Sequence, residues 1–141
     1  MKPKWQAPYA YRTSVPAEQS RAEIERTLQR YGADEFGFTV TRDRAQIGFR
    51  MHDRMLRFTI PLKVENRRDP EGEARRRWRT LLLSIKSKLE SVRSEVTTFE
   101  EEFLAHIVIP GDGRTIGEAL VPQLANAYQT RKMPKLLEEQ S

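Results

Sequence analysis

The side chains with the greatest capacity for chemistry in this chain are its arginines and lysines, and they are crowded. Between positions 63 and 88 stand nine cations: Lys63, Arg67, Arg68, Arg75, Arg76, Arg77, Arg79, Lys86 and Lys88. Four acids, Glu65, Asp69, Glu71 and Glu73, accompany them. The excess of five positive charges equals the net charge of the whole chain, +5. Guanidinium forks match phosphate oxygens in geometry as well as charge. Cations that meet no acid attract polyanions. On a helix, Arg75, Arg79 and Lys86 fall at i, i+4 and i+11, close to one stripe. Arg76 and Arg77 would point about 100° and 200° away from Arg75. The expected phosphate contacts are therefore Arg75, Arg79 and Lys86, acting with Arg67 and Arg68 of the preceding loop.

A second basic surface is expected on a β-sheet. Three runs, 35–41, 45–52 and 55–62, alternate with period two, the pattern of half-buried strands. Phe36, Phe38 and Val40 share a face, as do Ala45, Ile47, Phe49 and Met51, and then Leu56, Phe58, Ile60 and Leu62. The joints, 42–44 and 53–54, are polar and short enough for hairpins. The other face carries Thr39, Thr41, Gln46, Gly48, Arg50, His52, Arg57 and Thr59, with no carboxylate among them. Such a face suits a shallow phosphate platform with Arg50 and Arg57 as contacts. It also fits the wet side of an antiparallel sheet.

Little else points to catalysis. The chain has two histidines, His52 and His106, and neither sits in an HExxH-type spacing. It has no cysteine, so a thiolate nucleophile, a thiolate metal site and a disulfide are all excluded. No GxSxG, Walker loop or GxGxxG occurs. Glu100, Glu101 and Glu102 form a carboxylate cluster, but they fall in the first turn of an expected helix, where acids complement the macrodipole. No enzyme, cofactor or metal is expected.

The positioning elements follow from local signals. A helix over 16–31 starts with Ser14 as a cap and Pro16 in its first turn, and ends at Gly32. Its stripe is Ile24, Leu28 and Tyr31. Asp69-Pro70-Glu71 announces a second helix to about position 92, with Trp78, Leu82, Ile85, Leu89 and Val92 inward. Two capping boxes, Thr98…Glu101 and Thr115…Glu118, open two more helices. The first turns Phe99, Phe103 and Ile107 inward. The second runs through about 128 with Leu120, Leu124 and Tyr128 as its stripe, and Pro122 falls near its first turns or bends it. The expected fold is α+β: a three-stranded antiparallel meander, one face covered by helices, in the order α-β-β-β-α-α-α. Residues 14–132 form one domain, flanked by an N-terminal arm (1–13) and a C-terminal tail (133–141). The arm interleaves Lys2, Lys4 and Arg12 with Trp5, Tyr9 and Tyr11.

At 141 residues the chain is long enough to bury one core. A pI of about 9.7 favours acidic partners. No apolar run reaches the roughly 20 residues of a membrane span, so a cytoplasmic protein is expected.

The stretch 31–38, then Ile47-Gly-Phe-Arg-Met, Arg57-Phe-Thr-Ile-Pro-Leu, Arg77-Trp-Arg-Thr-Leu-Leu-Leu and Thr98-Phe-Glu-Glu-Glu-Phe-Leu, resembles a group of small uncharacterised proteins encoded by phages and integrated mobile elements. The likeness spans most of the chain and implies a phage or bacterial setting. Helix, three strands and an arginine-led second helix are also similar in layout to the double-stranded RNA-binding domain, an analogy of order alone. The leading expectation is a non-enzymatic DNA- or RNA-binding accessory protein. The competing class is a protein-interaction module that inhibits or adapts a host or mobile-element machine.

Overall fold

The computed structural model describes residues 15–62 and 69–135. The arm, the Ser14 cap, Lys63, Arg67, Arg68 and the tail beyond position 135 lie outside them. The elements run α1 (Val15–Arg30), β1 (Asp34–Val40), β2 (Arg44–Met51), β3 (Arg54–Pro61), α2 (Pro70–Arg93), α3 (Phe99–Phe103), a 3₁₀ turn (Leu104–His106) and α4 (Ile116–Thr130). The strands form one antiparallel sheet in the order β1-β2-β3, which is the expected α+β meander.

The period-two pattern sets the register. Phe38, Ile47 and Phe58 lie level across the sheet, and Phe49 lies opposite Leu56. Phe49 is fully buried and stacks between Phe36 (6.2 Å between centroids) and Phe58 (6.1 Å). Phe58 meets Phe103 edge-on at 6.3 Å. Phe36 completes this row, whereas Phe38, on the same strand face, is half-buried under the Arg21 guanidinium.

α1 and α2 cover the sheet with most of their predicted stripes. The stripe expected of α4 is not covered: Leu120 is half-buried, but Leu124 and Tyr128 are exposed, because that helix packs on the Leu104–His106 turn rather than on the sheet. α1 buries Ala17, Ile24 and Leu28, and Gly32 (φ 97°) makes the left-handed exit that follows its last turn. Tyr31, expected on the inward stripe, is 39% exposed because it lies past that last turn. α2 buries Trp78, Leu82, Ile85 and Leu89. Its N-cap is Asp69, whose side chain accepts from the Gly72 N–H at 2.9 Å. A Cβ at Gly72 would displace the capping carboxylate from this position.

Two departures are local. The β2–β3 turn is His52–Asp53, one residue earlier than expected, with φ of 52° and 59°, the two left-handed residues of a type I′ turn. His52 stays there by stacking on Phe99 at 4.4 Å. The third helix is only five residues long. The chain leaves it through the 3₁₀ turn that carries His106, because Ile107 and Val108 are drawn extended onto the edge of β3, where the Val108 N–H donates to the Met55 carbonyl at 2.8 Å.

A β-bulge in β1 has larger consequences. Asp34 pairs with Arg50 and Gly37 with Gly48, so β1 carries one extra residue between them, and Glu35 sits there with φ 55°. Strict alternation would put Asp34 on the apolar face with Phe36 and Phe38. The extra residue turns it to the open face instead.

Phe49→Ala should destabilise the fold by about 3–5 kcal/mol, read by denaturant unfolding; an unchanged midpoint would contradict the aromatic row. At the bulge, Glu35→Gly should be more stable than Glu35→Ala by roughly 1–2 kcal/mol, since glycine alone adopts positive φ without a steric cost. Both variants lose the same side chain, so equal stabilities would mean the left-handed residue carries no strain.

Candidate nucleic-acid interface

The cations divide by what they touch. On the open sheet face the expected absence of acids does not hold. The bulge brings Asp34 to Arg50, whose guanidinium donates to both carboxylate oxygens at 3.0 and 3.2 Å, with Glu35 at 3.7 Å. The Asp34 carboxyl is held below its ordinary value by that bond. Arg57 donates to the Gly113 carbonyl at 3.0 Å and to the Glu118 carboxylate. Both sheet cations named from the sequence are thus engaged by carboxylates. The acids come from a bulge and from α4, and neither lies within the alternating pattern.

Other cations also hold the fold. Arg77 donates to Glu73 and to the Pro61 carbonyl, tying α2 to the end of β3. Arg54 reaches the Glu100 carboxylate at 2.8 Å, and Lys88 lies 3.7 Å from the Glu102 carboxylate while donating to the Glu102 backbone carbonyl at 3.2 Å, so two acids of the 100–102 cluster meet cations. The third, Glu101, closes the capping box on Thr98, and those bonds hold its carboxyl below the ordinary range. Among the described residues no group of carboxylates and histidines is arranged to hold a metal ion. His106 stacks on Phe58 at 4.0 Å; burial, with Lys88 nearby, pushes its pKa down. Both histidines therefore serve the aromatic packing.

Four further arginines converge between the two long helices. A groove of about 590 Å³ runs between α1 and α2, with Gln19, Ser20, Glu23 and Arg26 on one wall and Gly72, Arg75, Arg76, Arg79 and Leu82 on the other. It continues along α1 past Gln29 and Arg30. Arg75 and Arg79 share this groove, as their spacing implied. Arg76 lines it too, against expectation: a groove takes in more of the helix surface than a single stripe. Arg76 pairs with Glu73 at 2.8 Å and keeps 64% of its side chain exposed. Arg26, which no run or motif marks, faces the α2 arginines because α1 packs along α2. Among the described residues the one carboxylate lining the groove, Glu23, lies 3.5 Å from Lys86. Among the described residues Arg26 and Arg79 have no ion pair. Arg67 and Arg68 lie outside the described residues.

The fourth helix is placed by the sheet. Thr115 and Glu118 form the expected capping box. Gly117 lets the first turn sit against the 3₁₀ turn, since a Cβ there would come within 2.8 Å of the Ala105 carbonyl. The Thr115 backbone N–H and then the Arg57 guanidinium lower the Glu118 pKa from 4.5 to about 2. A carboxyl depressed in the folded state stabilises the fold above about pH 4.5 and loses that contribution as pH falls towards 2. Glu118→Gln, which can keep the capping bonds but not the charge, should lose less stability over this interval than the parent. Parallel acid-denaturation curves would show that the ion pair contributes nothing.

No helix among the described residues is long and apolar enough to cross a membrane. No family model, curated protein or solved structure matches the chain.

Proposed function

We propose that this chain is a non-enzymatic nucleic-acid-binding accessory protein of a phage or mobile element, and that the α1–α2 groove holds its phosphates. The observation that carries the reading is the convergence of Arg26 from one helix with Arg75, Arg76 and Arg79 from the other; among the described residues the one carboxylate that lines the same groove, Glu23, already faces Lys86. Guanidinium groups on two walls can take phosphate oxygens from both sides. Such contacts fix a backbone in place and carry no base information. Arg67 and Arg68, which precede α2 in sequence, remain expected contacts that lie outside the described residues. Arg50 and Arg57 are left out of the proposed surface, because each ties together distant parts of the chain through a carboxylate, whereas the Arg76–Glu73 pair lies within one helix and leaves 64% of the Arg76 side chain exposed.

The test is binding of labelled single-stranded DNA, duplex DNA and duplex RNA across a salt series. Affinity should fall steeply with salt. Arg75→Gln with Arg79→Gln, and separately Arg26→Gln, should weaken binding about equally on unrelated sequences and flatten the logarithmic salt slope by roughly one per lost contact. Arg50→Gln should leave affinity unchanged. Absence of binding at low salt in all three arms would overturn the proposal, as would full affinity in the double variant.

A further inference from the structure

α4 is apolar on two sides. Ala119 is buried and Ile116, Leu120 and Ala127 are half-buried on one of them. Val121, Leu124, Ala125 and Tyr128 fall at i, i+3, i+4 and i+7 on another. That second stripe is open: Val121 is 62% exposed, Leu124 45% and Tyr128 75%. The helix packs chiefly on the Leu104–His106 turn at its base. No charged residue stands from Ala119 to Thr130, in a chain that is 32% charged. A helix that is apolar on both sides is normally a buried one, and an apolar stripe left open marks a contact surface.

We infer that the occupant of this stripe is α4 of a second copy of the chain, lying antiparallel. The stripe is complementary to its own reverse. About a two-fold axis midway between Leu124 and Ala125, Val121 comes level with Tyr128 of the partner subunit, and Leu124 with Ala125 of the partner subunit. A larger side chain then meets a smaller one at every level, as an isologous contact requires. The ends agree in charge. The same register puts Glu118, which holds Arg57 and still keeps 48% of its side chain exposed, level with Arg131 of the partner subunit, so the acidic start of one helix lies beside the basic end of the other. The two macrodipoles then run in opposite senses. Neither stripe brings a charge that the other would leave unpaired. Lys132 and Lys135 stay clear of the stripe, beyond the helix end.

The stripe covers only about two turns of helix, roughly 10 Å. Its contact area lies below the roughly 1,200 Å² of a standard interface, so association is weak, about micromolar. The full chain should pass from monomer to dimer in sedimentation velocity between about 1 and about 200 μM. Leu124→Glu and Tyr128→Glu, both at exposed positions, should remain monomeric over that range with the parent's melting curve. The chain has no native cysteine, so the register can be read by crosslinking. A mixture of Val121→Cys and Tyr128→Cys should oxidise to the mixed disulfide in preference to either like pair, because only facing positions bring Cα atoms within disulfide reach. A parent that stays monomeric at the highest concentration would overturn the inference. So would a dimer that survives Leu124→Glu, or crosslinks that favour like pairs.

Discussion

The structure depends on the row of rings that begins at Phe36 and passes through Phe49 and Phe58 to Phe103. Three of these rings come from adjacent strands and the fourth from α3, so one contact line joins the sheet to the C-terminal half. Burying such side chains is worth about 1.5–3 kcal/mol each, and favourable ring pairs add about 0.5–1.5 kcal/mol. Exposed ion pairs contribute about 0–1 kcal/mol each. The rings therefore decide which way the sheet faces, and the many arginine–carboxylate pairs act on a fold already chosen. With the apolar face fixed inward, α1 and α2 must cover it, and their outer sides become the walls of the groove.

Charge density alone overstates how much of this chain is available to a polyanion. Arginine has several uses here. Arg50 meets the residue that the β1 bulge turns outward, Arg57 pins the first turn of α4, Arg77 joins α2 to β3, and Arg54 ties the β2–β3 hairpin to α3. Each has a carboxylate or carbonyl within reach, so recruiting it to a phosphate would first break a contact of the fold. Arg26 and Arg79 pair with no acid among the described residues, and binding a phosphate there costs no such contact. Arg42, Arg44 and Arg131 also pair with no acid among the described residues, but the groove is where arginines of two helices converge.

What the sequence reveals depends on how far apart the interacting groups lie along the chain. Both capping boxes and the Asp69 cap are legible because donor and acceptor are three residues apart. The strands are legible from period two, and α2 from its stripe. The acid on the sheet face is not, because one left-handed residue at Glu35 reverses the parity that the pattern assumes, and a glutamate is a poor signal for such a residue. Glu118 reaches Arg57 across 61 positions, a juxtaposition created only by the ribbon that follows β3. Arg26 becomes a groove residue only through the packing of α1 on α2. The stripe expected to bury Leu124 and Tyr128 lies open: periodicity says that a face seeks cover and not that the fold supplies it.

If the two proposals hold together, each changes the other. A groove between two helices engages few phosphates at once, and contacts of that number bind weakly at physiological salt. Pairing through α4 would put two grooves on one particle. A second groove on the same strand would then bind at the high effective concentration set by a rigid connection rather than by free diffusion. Binding would become steeper in protein concentration, and the salt slope would approach twice that of one groove. The linkage also runs in reverse, since a strand that holds two copies side by side stabilises a dimer too weak to persist alone. Arg57 then matters without touching phosphate: by fixing α4 through Glu118, it sets the angle between the two grooves, and hence the spacing along a backbone over which both can engage.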